Sequence, residues 1–241
     1  QVLSLLKPTL EREFDWSNSD YANIASVFQF SYAISLLFAG RIVDKLGTKA
    51  GYSWAIIIWS LAAILHAYAV PAGMMVATVL GWVGITAVPI SIAGFMLSRA
   101  LLGFGEAGNF PAAIKATAEY FPKKERAFAT GIFNSGANIG AVVAPIMVPW
   151  ILGAYGWREA FIITGGVGFI WLIFWKLYYE TPTKHPKLSQ EELEFINSDA
   201  DEQEVETTES VKWIKLFGIR QTWAFIFGKM FTDPIWWFFL Y

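Results

Sequence analysis

Cysteine is absent from this chain, which excludes a disulfide framework and any metal site built on thiolates. Histidine is almost as scarce, because only His66 and His185 occur and they lie far apart. The sequence contains no H-E-x-x-H motif and no other cluster of histidines that could hold a metal or activate a nucleophile. We therefore expect a protein that is not an enzyme and that carries neither a metal nor a cofactor.

Charged residues are also scarce. Charged residues make up 16% of the 241 residues, whereas a soluble domain has about 25%. Hydrophobic residues reach 55%, with twelve Trp and twenty Phe, and the mean hydropathy is +0.44. Surface that could face water is in short supply, and aromatic rings in such numbers are typical of membrane interfaces. The composition predicts a membrane protein.

Several apolar stretches are long enough to cross a bilayer, which takes about 20 residues of helix. Residues 1–10 resemble the end of an earlier span, and a further span begins at 221. Both ends of the chain lie in apolar runs, so we expect an all-α, polytopic transmembrane helix bundle truncated at both ends. The complete candidate spans are 21–40, 51–70, 91–111, 128–151 and 158–178.

Lysine and arginine in the polar breaks predict the orientation, since basic loops face the cytoplasm. The breaks at 41–49 and 115–126 contain seven basic residues, whereas the other two contain only Arg12 and Arg158. We place the two basic breaks in the cytoplasm. A third helix at 72–90 would move the second basic break outside, so we expect residues 71–89 to form helix extensions and an apolar excursion at the outer face.

The stretch from 180 to 220 is polar and acidic, too hydrophilic to bury a core. We interpret it as a solvated cytoplasmic loop, with Ser189 and Glu192 forming a capping box before a short helix that ends near Ile196. Val211–Phe217 is expected at the membrane interface. The predicted organisation is an N-terminal transmembrane bundle at 1–179 (the end of span 1 and spans 2–6), a central loop at 180–220, and the start of span 7 at 221–241.

The stretch SRALLGFGEAGNFPAA at 98–113 contains a literal dinucleotide-binding fingerprint, Gly103-x-Gly105-x-x-Gly108. Such a loop must follow a strand within a βαβ unit, and no strand pattern lies nearby. Glycines at this spacing also let neighbouring helices approach closely, which is the interpretation we favour.

Two full charges, Arg99 and Glu106, lie within the same stretch. Seven residues are two helical turns less about 20°, so both side chains face one way, about 10.5 Å apart along the axis. Charges inside a span usually face a wet cavity and belong to substrate or proton pathways. Arginine matches a carboxylate with a bidentate fork, and a glutamate in a poorly solvated cavity can carry a proton. The alternatives are that Arg99 snorkels to the interface or that both charges only make structural pairs.

Other polar residues at membrane depth are further candidates for substrate contact: Gln29 and Tyr32 on the second span, and Asn134 and Asn138 on the fifth. Hydrogen bonding between helices explains the asparagines equally well, because Gly136–Gly140 is itself a small-xxx-small packing motif.

Two further polar sites have weaker patterns. Lys229 and Asp233 lie four residues apart on the last span, and Pro234 favours a break in that helix of the kind that lines cavities. We expect His66, near the outer end of its span, to be structural.

Gly40-Arg-Ile-Val-Asp-Lys-Leu-Gly-Thr-Lys49 resembles the cytoplasmic loop motif of the major facilitator superfamily, G-x-x-x-D-[RK]-x-G-[RK]-[RK]. The resemblance implies that Asp44 pairs with the opposite half of the molecule and latches the outward-facing state. Thr48 stands where the motif has its first basic residue. The conformational-switch residues implied are Gly40, Asp44, Lys45, Gly47 and Lys49.

Arg99-x-x-x-Gly-x-Gly-Glu-Ala107, followed by Phe121-Pro-x-x-x-Arg126, resembles the anion:cation symporter family, and within it the bacterial hexuronate transporters. The resemblance implies twelve spans in two six-helix halves, of which this chain is the N-terminal half, with substrate held between them at mid-membrane. Arg99 and Glu106 match the family's fourth-span arginine and proton-carrying glutamate. Tyr32 matches a second-span tyrosine that contacts sugar acids.

The expected function is proton-coupled uptake of a sugar-acid anion, a hexuronate such as glucuronate or galacturonate, by alternating access. Another organic anion, such as galactonate or a different monocarboxylate, coupled to H⁺ or Na⁺, is the first alternative. A receptor or scaffold that transports nothing is the second. We expect a monomer in the bacterial inner membrane whose partners are the anion, the proton (or Na⁺) and lipid, with no nucleic acid.

Overall fold

A computed structural model describes residues 1–82, 84–85, 88–198 and 213–240. The chain divides into two units, Val2–Ser198 and Asp199–Tyr241. The described residues are α-helical, with no strand among them. The first unit contains α1 (Val2–Phe14), α2 (Asn18–Leu46), α3 (Thr48–Leu65), α4 (Ala69–Trp82), α5 (Ile90–Glu106), α6 (Asn109–Tyr120), α7 (Lys123–Tyr155), α8 (Trp157–Tyr178) and α9 (Gln190–Ile196).

Five helical segments of the described residues are long and apolar enough to span a membrane: Asn18–Leu46, Thr48–Trp82, Ile90–Tyr120, Lys123–Tyr155 and Trp157–Tyr178. They contain the five predicted spans, and the expected transmembrane helix bundle is confirmed. The helices run further than predicted, because the charged residues at their ends continue the helix instead of forming loops. Two of the expected polar breaks, at 41–49 and 155–159, are reduced to one non-helical glycine each.

Those single-residue links are Gly47, between α2 and α3, and Gly156, between α7 and α8. Their backbone angles are φ 79°, ψ 157° and φ 107°, ψ 174°, a region essentially restricted to glycine. Only glycine lets each pair of long helices reverse direction in one residue.

Gly47→Ala is therefore expected to lower the stability of the protein by about 1–3 kcal/mol, because alanine must adopt a strained backbone. Gly40→Ala, in the same motif, is the matched control. Gly40 is helical and a Cβ added there would meet nothing within 4 Å, so alanine should be neutral or slightly stabilising. Thermal unfolding of both variants in detergent distinguishes them. Equal melting temperatures would contradict the strain at Gly47.

The uncharged stretch after α3 forms no separate span. One 3₁₀ turn (His66–Tyr68) joins α3 to α4, so the 35-residue segment Thr48–Trp82 is helical throughout. α4 packs backbone to backbone on α5, since a Cβ on Gly73 would lie 1.8 Å from the carbonyl oxygen of Ile90. The expected helix extension is confirmed as far as Trp82, and its position at the outer face stays a prediction.

An aromatic core fills the end of the first unit that is predicted to face outward. Leu3, Leu6 and Leu10 of α1 are fully buried against it. The indole N–H of Trp16 donates to the Ser91 hydroxyl over 3.1 Å, which joins the α1–α2 turn to the first turn of α5. The rings that meet here are Phe14, Trp16, His66, Phe95, Trp157 and Phe161.

His66 belongs to this core. Its ring stacks on Phe161 with centroids 4.8 Å apart, and Nδ1 donates to the carbonyl oxygen of Ala62 over 2.8 Å. The side chain is 1% exposed. These contacts agree with the structural role expected for it.

The polar region after α8 begins as predicted. Ser189 and Glu192 form the capping box, and α9 ends at Ile196. Most of the acidic run, and the start of the segment expected at the membrane interface, lie outside the described residues.

In the second unit, α10 covers Trp213–Leu216 and α11 covers Arg220–Leu240. Lys229 and Asp233 form an i,i+4 ion pair of 2.9 Å. The break expected at Pro234 is wrong, because α11 runs through it. A membrane helix tolerates the one backbone hydrogen bond that a proline removes.

Candidate functional site

The three glycines of the fingerprint are sites of helix contact. A Cβ on Gly103 would lie 2.7 Å from the carbonyl oxygen of Phe28 in α2, and one on Gly105 would lie 2.5 Å from the backbone nitrogen of Trp59 in α3. A Cβ on Gly108 would lie 2.8 Å from the Ala55 Cβ. The glycines therefore let α5 and the turn after it pack against two helices at once, which confirms the packing interpretation.

Arg99 lies on α5 one turn before Gly103, where that close packing brings it against α2. Its side chain is only 7% exposed, and its guanidinium carbon is 5.5 Å from the centroid of the Phe28 ring. A cation over an aromatic face is stabilised by the ring quadrupole. Phe28 in turn stacks on Tyr32, one turn further along α2, with centroids 5.8 Å apart.

Glu106 is the last residue of α5 and is half-buried. It lies within Coulombic range of both Arg99 and the Tyr32 hydroxyl. The Tyr32 hydroxyl forms no hydrogen bond with any residue that the structure describes. The structure therefore brings together three of the predicted site residues, Arg99, Tyr32 and Glu106, with Phe28 between the first two. We call these four residues the central column.

The other predicted contacts lie apart from the central column. Gln29, Asn134 and Asn138 are exposed, and no hydrogen bond joins them to the central column in the described part of the chain. Gly136 and Gly140 were expected to pack against another helix, yet a Cβ added to either would have no described atom within 4 Å. This face of α7 is open in the described unit, so both interpretations of the asparagines, helix packing and ligand contact, stay predictions.

At the end predicted to face the cytoplasm, Asp44 and Lys49 of the predicted switch residues form ion pairs within the first unit. Asp44 pairs with Lys115 on α6, Oδ1 to Nζ 2.7 Å. Lys49 pairs with Glu180, just after α8, over 2.9 Å, and this hydrogen bond lowers the pKa of the Glu180 carboxyl. The pairing of Asp44 with the opposite half remains a prediction.

Thr48 stands where the motif has a basic residue, and it contacts a carboxylate through a hydrogen bond instead of an ion pair. It is 1% exposed, and its hydroxyl donates to Glu119 Oε1 over 2.5 Å. The Tyr179 hydroxyl donates to the other oxygen of Glu119. Burial, with the hydrogen bond to Glu119, raises the pKa of Tyr179 above its ordinary value. Glu119 and Glu180 were not foreseen, because only the packing of α6 and α8 beside α3 brings them to the loop.

The family model described as Major Facilitator Superfamily matches residues 1–241. The chain belongs to the Major Facilitator Superfamily. With five membrane-spanning segments, the expected location as a multi-pass protein of the bacterial inner membrane is confirmed.

Curated relatives are similar over nearly the whole chain. A "Hexuronate transporter" of Escherichia coli (strain K12) is 32% identical over 95% of this chain and 49% of its own length. A "Galacturonate transporter" of Dickeya chrysanthemi is 34% identical over 98% of this chain and 63% of its own length. A "Probable galactarate/D-glucarate transporter GarP" of Escherichia coli (strain K12) is 31% identical over 99% of this chain and 53% of its own length. The chain thus spans about half the length of the curated relatives it matches.

Proposed function

We propose that the whole protein is a secondary active transporter that takes up a sugar-acid anion, a hexuronate such as glucuronate or galacturonate, together with a proton. The observation that carries the proposal is the central column, in which a buried guanidinium and a half-buried carboxyl group share one face of α5 beside a tyrosine. The printed names of the relatives support sugar acids as the substrate class.

The chemistry assigns a role to each member of the column. Arg99 binds the substrate carboxylate, since a guanidinium offers two parallel N–H donors to it. Tyr32 has a hydroxyl with no described partner and contacts the sugar. Glu106 lies seven residues further along the helix, so it can take a proton without contacting the substrate carboxylate that Arg99 binds. It still interacts electrostatically with Arg99.

Alternating access then follows from differential binding. The outward-facing protein binds the anion at Arg99 and a proton at Glu106, and loading both sites favours the inward-facing arrangement. Asp44, Lys45 and Lys49, with the glycines Gly40 and Gly47, form the cytoplasmic loop that we propose as the switch between the two.

Uptake of labelled sugar acids by the whole protein in proteoliposomes tests this function. We expect accumulation of glucuronate or galacturonate above the external concentration when the outside is acidic, and only equilibration without a pH gradient. Accumulation driven by a Na⁺ gradient at equal pH would show that sodium, and not the proton, is the coupling ion.

A second substrate class has its own support in the relative named as a probable galactarate/D-glucarate transporter. The uptake panel should therefore include galactarate and galactonate. Preference for one of these over both hexuronates would change the substrate but not the assignment of Arg99. Failure to transport any organic anion would contradict the proposal and leave a receptor or scaffold.

A further inference from the structure

Four polar side chains lie together at the outer ends of α1 and α2. Lys7 Nζ is 3.0 Å from Asn18 Oδ1, 3.3 Å from Glu11 Oε1 and 4.9 Å from the centroid of the Tyr21 ring. About a third of the Lys7 side chain and a quarter of the Glu11 side chain are exposed, at 32% and 26%. We call Lys7, Glu11, Asn18 and Tyr21 the outer polar cluster.

The outer polar cluster continues the central column toward the outside. Tyr21 lies eleven residues before Tyr32 on α2, which places the two side chains about 20° apart in direction and about 16 Å apart along the axis. Phe28, under the Arg99 guanidinium, lies between them on the same face. Arg99 also acts electrostatically on the Tyr21 hydroxyl. Arg99 is therefore the next charged group beyond the outer polar cluster along this face of α2.

The cluster has hydrogen-bonding capacity that the protein does not use. A lysine ammonium has three donors, and the contacts to Asn18 and Glu11 account for two directions. The Tyr21 hydroxyl forms no hydrogen bond with any residue of the described part of the chain. Its ring adds an apolar face beside a polar tip. A cation, a hydroxyl, an amide and an aromatic face are a suitable set for a polyhydroxy carboxylate.

We propose that the outer polar cluster is a second binding site for sugar acids, which captures the anion at the outer mouth before it reaches Arg99. This inference rests on the proposed function. The Lys7 ammonium receives the carboxylate, while the Tyr21 hydroxyl and the Asn18 amide nitrogen meet the sugar hydroxyls. Glu11 keeps the cluster neutral overall, so binding stays weak. A pathway site must be weak enough to release its ligand to the next one.

Such a site acts on one side of the membrane only, which separates it from a structural role. The test uses the whole protein reconstituted in one orientation, with Lys7→Met and labelled glucuronate supplied outside or inside. We expect the outer KM to rise about tenfold, the factor that one charge-assisted hydrogen bond contributes. The maximal rate and the inner KM should not change.

Three further variants sharpen the test. Lys7→Arg keeps the cation and should restore the outer KM. The double variant Lys7→Met with Glu11→Gln also removes the carboxylate that would be left without its lysine. It should show the same raised outer KM, and it replaces Lys7→Met in the test if that single variant folds poorly. Arg158→Gln is the matched control, because Arg158 is an outer-end cation 5.3 Å from the Trp157 ring and outside the cluster. Its outer KM should equal that of the wild type.

An outer KM at the wild-type value in the double variant, or an equal rise on both sides of the membrane, overturns the capture site while leaving the proposed function intact. Absence of sugar-acid uptake by the wild type overturns the proposed function, and the capture site with it.

Discussion

Replacing Arg99 by lysine is expected to weaken sugar-acid binding by about 10- to 100-fold, although the positive charge is kept. Lysine has a point charge in place of a planar fork, so it cannot make two parallel hydrogen bonds to one carboxylate. It also loses the flat face that lies over Phe28 at 5.5 Å. Binding of glucuronate to the purified whole protein, measured by calorimetry, gives the change directly.

The control for this substitution is Arg158→Lys. Arg158 also lies over an aromatic ring, that of Trp157, but it is exposed at the outer start of α8. Its replacement should leave the affinity unchanged. If the Arg99→Lys protein bound glucuronate as tightly as the wild type, Arg99 would have no bidentate role and the proposed site would be wrong.

Replacing Glu106 by glutamine should abolish accumulation driven by a pH gradient while sparing exchange of substrate between two loaded compartments. Glutamine has nearly the shape of protonated glutamic acid but cannot release a proton. Net uphill transport needs a group that loads a proton outside and unloads it inside, whereas exchange needs only the loaded carrier to reorient. Counterflow of labelled glucuronate in proteoliposomes measures the second activity separately from the first.

Glu159→Gln, at the outer start of α8, is the corresponding control and should accumulate substrate like the wild type. If the Glu106→Gln protein still concentrated substrate against its gradient, another group would carry the proton. If it lost exchange as well, Glu106 would be required for reorientation or binding, and its role as a dedicated proton carrier would be wrong.

Two members of the central column were predictable from helical spacing, Tyr32 was expected from the family resemblance, and Phe28 was not foreseen. Arg99 and Glu106 are seven residues apart, so their common direction follows from the geometry of one helix. Gly103, Gly105 and Gly108 were predictable as contacts, because glycines in a membrane helix let a neighbouring helix approach closely. Which helix each glycine touches required the structure.

Contacts between distant parts of the chain were not predictable. Thr48 and Glu119 are 71 residues apart, and Lys49 and Glu180 are 131 residues apart, so no local pattern connects them. Lys7 was overlooked because it lies in a short apolar run at the start of the chain, where a single lysine resembles the edge of a span. Only the approach of α2 to α1 gives it Asn18 and Tyr21 as neighbours.

Helix ends were the least well predicted elements. Residues 41–46 and 115–120 contain charged residues and were expected in breaks, yet they continue α2 and α6. The charges at these positions are accommodated by ion pairs such as that of Asp44 with Lys115. Hydropathy marks where a helix leaves the hydrocarbon, and it does not mark where the helix ends.

The length of α4 has a consequence for the surrounding lipid. At the end predicted to face outward, the contact between Trp16 and Ser91 lies near the start of α5, and Gly73 packs beside Ile90 at the same level. The nine residues from Met74 to Trp82 continue beyond it by about 13 Å, with Met75 74% and Trp82 80% exposed. A surface this apolar creates hydrophobic mismatch on one flank, which a bilayer meets by thickening locally or by letting the protein tilt. We therefore expect the lipid annulus to be asymmetric, with its longest acyl chains gathered beside this helix.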